Sequence, residues 1–573
     1  MPNASTLRKL GPMPVDPRAD AVMVPMRDGI RLATDVYLPS SPGKLPTVLL
    51  RLPYDKCGEY SFVPKIAERF NAEGYAFVAQ DVRGKFRSEG SFRALIHEVQ
   101  DGYDTIDWIV SRPFSNGVVG MSGESYYGFT QWAAAVSGHP ALRAISPRMC
   151  QVMGSYYGEV FELRGLVELA IFAWLDENVY VDYAVDYDTR PLLNLLPDAT
   201  GGRQSPSFDM LRALGAGGRS VAVYGHRVPY NAVRIPVLHT TGWWDSYNYN
   251  QIGDFLSMAG RTRDQFLLAQ STDHCDFPLH DDDTTVPDYW SDPGVLDDFI
   301  AGSYLSPTIE FYERFLKGRD LEFAPVRWHL ANADWRTATS WPPEGVRKLK
   351  LFLGGPGSQG GGDGVLSADP RGSAGRAMWI HDPSDMVPTD REDDDTAELL
   401  TGLPDERRVE GRDDVLTFTS DPLDTPLDLA GLIRLSGSVG SSHTSMQLVL
   451  KLVDVLPSGR ARAIAERAVH VDDVHPERHV DVDIGFAGYR FGEGHSVRLE
   501  VASSAFPKYI WHPGTDEDPW TAITGTPNEQ FIAVGGRTSF LEMDVSAVTI
   551  GTRVQPRSVV GASLSFDVRG RCG

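Results

Sequence analysis

Two serines lie in the glycine-rich stretch GVVGMSGESYYGF, which spans residues 117–129. A serine becomes a nucleophile when a sharp turn between a strand and a helix exposes its hydroxyl, and glycine beside it makes room for that turn. GVVGM is typical of a buried strand and FTQWAAAVSG of a helix. Ser125 lies between them, two residues after Gly123, whereas Ser122 adjoins the strand. We therefore predict that Ser125 is the nucleophile.

The stretch departs from the common pattern G-x-S-x-G. Tyr127 stands where the second glycine is expected, and Gly128 follows one residue later. A bare G-x-S match is weak evidence in a chain with 56 glycines, since an ordinary turn between a strand and a helix would also produce it. The strand before Ser125 and the helix after it favour the nucleophile.

A serine nucleophile needs a base, and the base needs an acid that orients it. In α/β-hydrolases these follow the serine in the order acid, then histidine, each after the end of a strand. Asp245 ends the apolar run IPVLHTTGWWD, and His274 ends the next one, QFLLAQSTDH, 29 residues later. Each has a simpler explanation, Asp245 as a helix cap and His274 as a loop residue. Their order and positions predict the triad Ser125–His274–Asp245, whereas His239, inside a strand, is expected in the core.

Acyl transfer also needs hydrogen-bond donors for the oxyanion that develops on the substrate. We expect one from the backbone N–H of Tyr126, the residue after the nucleophile. Tyr54, just past the strand in VLLRLPYDK, could supply a phenol, although the pattern alone favours a residue that packs a loop. Trp244 and Tyr247 flank Asp245. Aromatic residues there are more often core, so only Tyr247 is retained as a candidate for the substrate pocket.

The elements that must position these residues change along the chain. Up to residue 147, and again over 232–345, strand-like runs alternate with helix-like segments, which predicts an α/β fold with a mostly parallel sheet. Residues 148–231 have helical spacing without strands, which is typical of a helical insertion. From 346 to 573, short alternating runs such as SMQLVLKLVDV predict a β-sandwich or jelly roll.

Composition narrows the classes of function. A chain of 573 residues is too long to fold around a single hydrophobic core, so two or three domains are expected. Its 54 basic and 77 acidic residues give a net charge of −23, which disfavours binding to nucleic acid or to an anionic membrane surface. The four cysteines, at 57, 150, 275 and 572, form no C-x-x-C pair, so neither a disulfide framework nor a zinc site is expected. Without an apolar leader or an 18-residue apolar run, we expect a soluble, cytoplasmic protein.

Several separate segments together carry a resemblance to a known family. They are VMVPMRDGIRLATDVYLP, RLPYDK, QDVRGKFRSEGSF, GMSGESYYGFTQWAAAVSG, GWWDSY, HDPSDMVPT, KLVDVLPSGRA and RLEVASSAFPKY. In this order they resemble the bacterial cocaine esterase family, which is grouped with the X-Pro dipeptidyl-peptidases and the α-amino acid ester hydrolases. The segments run from about residue 20 to about residue 510.

The resemblance implies an α/β-hydrolase domain with an inserted helical cap and a C-terminal jelly roll. The hydrolase domain would comprise residues 1–147 and 232–345, the cap 148–231, and the jelly roll 346–573. It places the nucleophile, acid and base on the three residues predicted above. It also makes the Tyr54 hydroxyl an oxyanion donor beside the Tyr126 amide, in place of the packing role. No metal or organic cofactor is implied.

Some features depart from the family and bear on the substrate. AQSTDH replaces the Gly-Pro-Trp-Ser that family members commonly carry before the histidine. No acid follows Asp245 at 246–248 to hold a substrate ammonium, and we interpret HDDD at 280–283 as a solvated loop. With no extra N-terminal domain of the X-Pro peptidase kind, we expect a carboxylesterase for small-molecule esters that uses neither nucleic acid nor membrane as partner.

Two alternatives stay open: an amidase or aminopeptidase, and a ligand-binding protein with an inactive hydrolase fold, since jelly rolls resemble carbohydrate-binding modules. A homo-oligomer is equally compatible with the sequence.

Overall fold

The structure is a computed structural model, and most of the chain can be described from it. The described residues are 12–40, 43–58, 61–152, 175–176, 186–195, 205–207, 209, 223–225, 227–274, 293–355, 364–370, 372–389 and 405–546. The predicted cap, 148–231, and the acidic segment 280–283 lie largely or wholly outside them. In the described part of the chain, no helix combines the length and the apolar character that crossing a membrane requires.

The first half of the chain builds a ten-stranded sheet in the order β1-β2-β4-β3-β5-β6-β7-β8-β9-β10. From β4 to β9 neighbouring strands are parallel, and β1, β2 and β10 add antiparallel edges. The strands are β1 (Asp20–Pro25), β2 (Arg31–Tyr37), β3 (Leu45–Leu52), β4 (Ala76–Asp81), β5 (Ser115–Glu124), β6 (Leu142–Arg148), β7 (Val237–Gly242), β8 (Gln265–Gln270), β9 (Val326–His329) and β10 (Trp335–Ala338).

Helices separate most of the parallel strands and bury their apolar sides against the sheet. They are α1 (Val63–Ala72), α2 (Glu98–Val110), α3 (Ser125–Ser137), α4 (Pro229–Ala232), α5 (Asn248–Ala259), α6 (Pro293–Phe299) and α7 (Ser306–Phe315), with short 3-10 turns at Leu192–Asn194 and Glu406–Arg408 and a π-helical turn at Ile300–Tyr304. In α1, for example, Ile66, Ala67 and Phe70 recur at helical spacing and are all buried. Strands β4, β7 and β8 are buried along their whole length, as expected for a parallel sheet covered on both faces.

The second half of the chain forms an eleven-stranded sheet that is antiparallel except where β12 meets β14. Its order is β13-β20-β15-β21-β11-β12-β14-β19-β16-β17, and β18 pairs with β15. The strands are β11 (Val346–Gly354), β12 (Gly364–Ser367), β13 (Gly375–His381), β14 (Leu416–Ser420), β15 (Leu427–Ser441), β16 (Met446–Val455), β17 (Ala461–Val471), β18 (Arg478–Phe491), β19 (Ser496–Ala502), β20 (Asn528–Val534) and β21 (Phe540–Ser546).

The two sheets meet at β18. A Cβ atom on Gly488 would lie 2.7 Å from the Trp243 ring and 2.8 Å from the Trp328 ring, so only glycine lets these indoles pack against the strand. Trp243 comes directly after β7, and Tyr249 in α5 stacks on Phe486 with 5.5 Å between ring centroids. The segment between β7 and α5 is therefore held from both sides by the second sheet. This α/β domain followed by an all-β domain confirms the predicted fold class.

Candidate active site

A sharp turn joins β5 to α3. The strand ends at Glu124 and the helix begins at Ser125, which adopts a left-handed backbone conformation with φ of 50°. Such a backbone is strained for a residue with a side chain, and it recurs where a nucleophile must project from a turn. Gly123 has φ of 138°, and a Cβ atom there would lie 2.1 Å from the Tyr127 ring.

Close packing also explains the shifted second glycine. A Cβ atom on Gly128 would lie 2.5 Å from the Cβ atom of Cys150, which follows β6. The close approach that requires glycine therefore occurs three residues after Ser125, and Tyr127 can carry a side chain.

Three side chains from separate elements form one hydrogen-bonded chain at the carboxyl edge of the first sheet. The Nε2 atom of His274 lies 3.2 Å from the Oγ atom of Ser125. Its Nδ1 atom lies 2.7 Å from the Oδ1 atom of Asp245. Asp245 follows β7 by three residues and His274 follows β8 by four, so both loops leave neighbouring parallel strands at the same edge. The structure thus brings together the three residues that the sequence predicts.

The electrostatic setting of His274 favours its charged form. Burial alone would lower the pKa of the imidazole, but the Asp245 carboxylate outweighs burial by its charge and its hydrogen bond, and Glu124 and Asp273 add to it. The net result is a pKa raised above the usual 6.5. An imidazole with this setting can accept a proton from a hydroxyl and hold the resulting charge beside the carboxylate.

Two groups that can donate hydrogen bonds converge beside Ser125. The Tyr54 hydroxyl lies beside the Ser125 side chain and the backbone N–H of Tyr126. Burial raises the pKa of the Tyr54 phenol, which therefore keeps its proton as a donor. The Tyr126 side chain is engaged elsewhere, because its hydroxyl accepts from the Leu95 N–H at 2.8 Å and donates to Glu98 at 3.1 Å.

The pocket candidate Tyr247 lies against the histidine. Its ring meets the His274 imidazole edge-to-face with 5.2 Å between centroids, and its backbone N–H donates to Asp245 at 3.2 Å. Trp244 instead faces the second sheet, where its indole N–H donates to the backbone oxygen of Ala463 at 3.3 Å. The role of Tyr247 in a substrate pocket stays a prediction.

Two residues that the sequence analysis set aside lie in the core. Ser122 is buried inside β5. His239 is fully buried inside β7, bonded to Gln265 at 3.0 Å, and burial lowers its pKa to about 4. Neither side chain belongs to the hydrogen-bonded chain.

A contact between two residues that flank the nucleophile was not predicted from the sequence. The Tyr127 hydroxyl donates to the Oε1 atom of Glu124 at 2.7 Å, across the Ser125 turn. The signal that could have found it is the tyrosine at the place of the expected glycine.

In the described part of the chain, no group of three or more His, Cys, Asp or Glu side chains is arranged to hold a metal ion. Of the four cysteines, Cys57 and Cys150 are free thiols, and the other two lie outside the described residues.

Two family models match the chain in succession. Residues 28–276 match the X-Pro dipeptidyl-peptidase (S15 family), and residues 322–540 match the X-Pro dipeptidyl-peptidase C-terminal non-catalytic domain. The first match includes all three members of the hydrogen-bonded chain, and the second includes most of the second sheet.

Individual relatives agree with the family models. Cocaine esterase from Rhodococcus sp. (strain MB1 Bresler) is 29% identical over 543 residues, which cover 86% of this chain and 91% of that protein. An α-amino acid ester hydrolase of known structure superposes with a TM-score of 0.77 at 24% identity, covering 92% of this chain and 96% of that one. An aminopeptidase from a marine sediment archaeon also gives a TM-score of 0.77, at 20% identity, covering 96% and 98%. The chain belongs to the family of serine hydrolases that contains cocaine esterase and the X-Pro dipeptidyl-peptidases.

Proposed function

We propose that this protein hydrolyses carboxylic ester bonds of small molecules through a covalent acyl-enzyme on Ser125. The observation that carries the proposal is the hydrogen-bonded chain from Ser125 through His274 to Asp245 at the edge of the sheet. The sequence is 29% identical to that of a cocaine esterase over most of both chains, and this similarity supports an ester as the substrate.

The first half of the reaction forms the acyl-enzyme. The Nε2 atom of His274 takes the proton of the Ser125 hydroxyl while Oγ attacks the ester carbonyl. Asp245 keeps the Nδ1 proton in place and stabilises the imidazolium. When the tetrahedral intermediate breaks down, His274 returns the proton to the leaving alcohol, and the acyl group stays on Ser125.

The second half releases the acid. Water takes the place of the alcohol and gives a proton to His274 as it attacks the acyl carbonyl. The second intermediate collapses, the C–O bond to Ser125 breaks, and His274 returns the proton to the serine oxygen.

In both halves, negative charge develops on the former carbonyl oxygen. The Tyr54 hydroxyl and the Tyr126 N–H are the donors that we assign to this oxygen. Their support is that both already converge beside Ser125, and that the Tyr54 phenol stays protonated in its buried position.

A second candidate function is hydrolysis of an amide, as in an amidase or aminopeptidase. The match to the X-Pro dipeptidyl-peptidase model favours it, since the same triad can cleave either bond. Residues 246–248, Ser-Tyr-Asn, offer no carboxylate to an ammonium group, and for this reason the ester is preferred.

The proposal is tested first by labelling the purified protein with a fluorophosphonate probe and locating the label by peptide mass spectrometry. We expect the label on Ser125, and an unlabelled protein would support a ligand-binding protein instead. Hydrolysis of a p-nitrophenyl acyl ester is then compared with that of an aminoacyl anilide. A faster reaction with the anilide would replace the esterase by the amidase.

The domain division is part of the same proposal. We assign residues 1–147 and 232–345 to the hydrolase domain, 148–231 to the cap and 346–573 to the jelly roll. The distribution of the described strands between the two sheets supports the boundary between residues 345 and 346. The cytoplasmic location and a homo-oligomeric state stay predictions.

A further inference from the structure

Tyr127 lies between the turn that carries the nucleophile and the tyrosine that we assign to the oxyanion. Its ring packs edge-to-face on the Tyr54 ring, with centroids 5.9 Å apart and an angle of 76° between the planes. The same ring covers Gly123, where a Cβ atom would lie 2.1 Å from it. Both tyrosines are buried. The Tyr54 ring thus packs on the Tyr127 side chain, which itself packs closely against the turn.

The position of Tyr127 depends on its hydroxyl as well as on its ring. That hydroxyl donates to the Oε1 atom of Glu124 at 2.7 Å. Glu124 is the last residue of β5, so this hydrogen bond ties Tyr127 to the end of a strand that is paired on both sides. The Oε2 atom of Glu124 is buried and accepts no hydrogen bond from any described residue, so within the described structure Tyr127 is the group that fixes this carboxylate.

Glu124 also acts on the site through its charge. The carboxylate is close enough to raise the pKa of both His274 and Tyr54. The other charged groups that act on His274 are Asp245 and Asp273, and the Tyr247 ring packs on the imidazole. Removing the charge of Glu124 would therefore leave the histidine with a lower pKa but still paired with Asp245.

We propose that Tyr127, held by Glu124, is a positioning residue that fixes the Tyr54 hydroxyl beside Ser125. This inference rests on the proposed function, because it gives the two residues a role in stabilising the oxyanion. The reason is geometric: the backbone of Ser125 is strained, and the hydrogen bond from Tyr127 to Glu124 spans that residue from one side to the other. A donor placed within a fraction of an ångström stabilises an oxyanion far better than one that can move away.

The test is a double-mutant cycle on kcat with a p-nitrophenyl ester. Y127F removes one hydroxyl and keeps the ring, and we expect it to lower kcat about fivefold, the size typical of one lost hydrogen bond, with KM nearly unchanged. In a Y54F background no phenol remains to be positioned, so the same substitution should change kcat less than twofold. Equal losses in both backgrounds, or no loss in wild type, would overturn the proposal.

Glu124 supplies the second arm of the experiment. E124A should lower kcat as Y127F does, and E124Q, which keeps an oxygen acceptor, should recover most of that loss. Because E124Q lacks the charge, it should also move the acidic limb of the pH profile of kcat/KM to lower pH. If E124Q loses as much kcat as E124A, the hydrogen bond to Tyr127 is not the source of the effect and the proposal fails.

Y75F is the matched control. The Tyr75 hydroxyl donates to the Glu313 carboxylate at 2.9 Å in the same domain, and it is just as buried, so its loss should affect stability but not kcat. The outcomes separate the two proposals. A Y54F variant with unchanged kcat would overturn the oxyanion assignment itself, whereas a Y127F variant with unchanged kcat beside an impaired Y54F would overturn only the role of Tyr127.

Discussion

Two histidine–aspartate pairs, one beside each sheet, have nearly the same geometry at the aspartate. In the first, the Nδ1 atom of His274 lies 2.7 Å from Asp245. In the second, the Nδ1 atom of His495 lies 2.9 Å from both carboxylate oxygens of Asp454. Both aspartates are buried.

The pairs differ at the far nitrogen of the imidazole. The Nε2 atom of His274 faces the Ser125 hydroxyl at 3.2 Å. The Nε2 atom of His495 abuts the backbone, since a Cβ atom on Gly492 would lie 2.7 Å from it, and Asp454 receives a further hydrogen bond at 2.8 Å from the Tyr489 hydroxyl. An aspartate therefore orients a histidine in either domain, but of these two pairs it is the one beside the strained turn after β5 whose histidine faces a hydroxyl.

Removing the Ser125 hydroxyl should cause the largest loss of activity. S125A should lower kcat for a p-nitrophenyl ester about 10⁶-fold, because no covalent intermediate can form. S122A, three residues earlier and buried inside β5, should keep the activity of the wild type. Steady-state kinetics and fluorophosphonate labelling of both variants measure this, and an active S125A would refute the mechanism.

Exchanging each aspartate for asparagine compares the two pairs directly. D245N should lower kcat about 10⁴-fold, because asparagine no longer holds the productive tautomer of the histidine. D454N should leave kcat unchanged and lower the free energy of unfolding by about 1–3 kcal/mol, because a buried hydrogen-bond network loses an acceptor. Kinetics and urea denaturation check both halves. The comparison breaks down if D454N impairs catalysis.

The tyrosines beside the two pairs provide the next comparison. Y54F should lower kcat about 10²–10³-fold, since loss of one oxyanion donor removes ~2.7–4 kcal/mol of transition-state stabilisation. Y489F removes a phenol that binds an aspartate in the other domain, and its kcat should match that of the wild type. We would give up the assignment of Tyr54 if both variants retained full activity.

The smallest expected effect is the dependence of kcat/KM on pH. His274 must be neutral to accept a proton, and its pKa is raised, so kcat/KM should fall about tenfold for each pH unit below a midpoint that lies above 6.5. A pH profile measured from about 5 to 9 determines the midpoint. D454N should show the same midpoint as the wild type, because Asp454 acts on a different histidine. A wild-type midpoint well below 6.5 would contradict the electrostatic account.

The sequence predicted those residues whose position follows from strand ends. Ser125, Asp245 and His274 each follow a parallel strand of one sheet, and a parallel sheet brings its carboxyl ends to one edge. Tyr54 also follows such a strand, yet nothing local says whether a phenol points to the site or into a loop, and its role came from the resemblance to the family. Tyr127 was noticed as a departure from the motif, but its contact with Glu124 depends on the fold of the turn.

Contacts between the domains had no signal in the sequence. Gly488 is one of 56 glycines in the sequence. Only glycine fits at this position, because two indoles that are distant in the chain pack against it. Alternating apolar residues predict a strand, but they do not say which strand of one domain lies against which loop of the other.

The contact at Gly488 also bears on how such a protein can change over time. The loop that carries Asp245 rests on the β domain through Trp243, and α5 does so through Tyr249, whose hydroxyl donates to Asp483 at 3.0 Å. If the hydrolase domain were separated from the β domain, these aromatic rings would be exposed to water. The loop that carries Asp245 would then lose the surface against which it packs. We therefore expect the two halves to be retained together, and a bulkier residue at 488 to be tolerated only together with smaller rings on the opposite side.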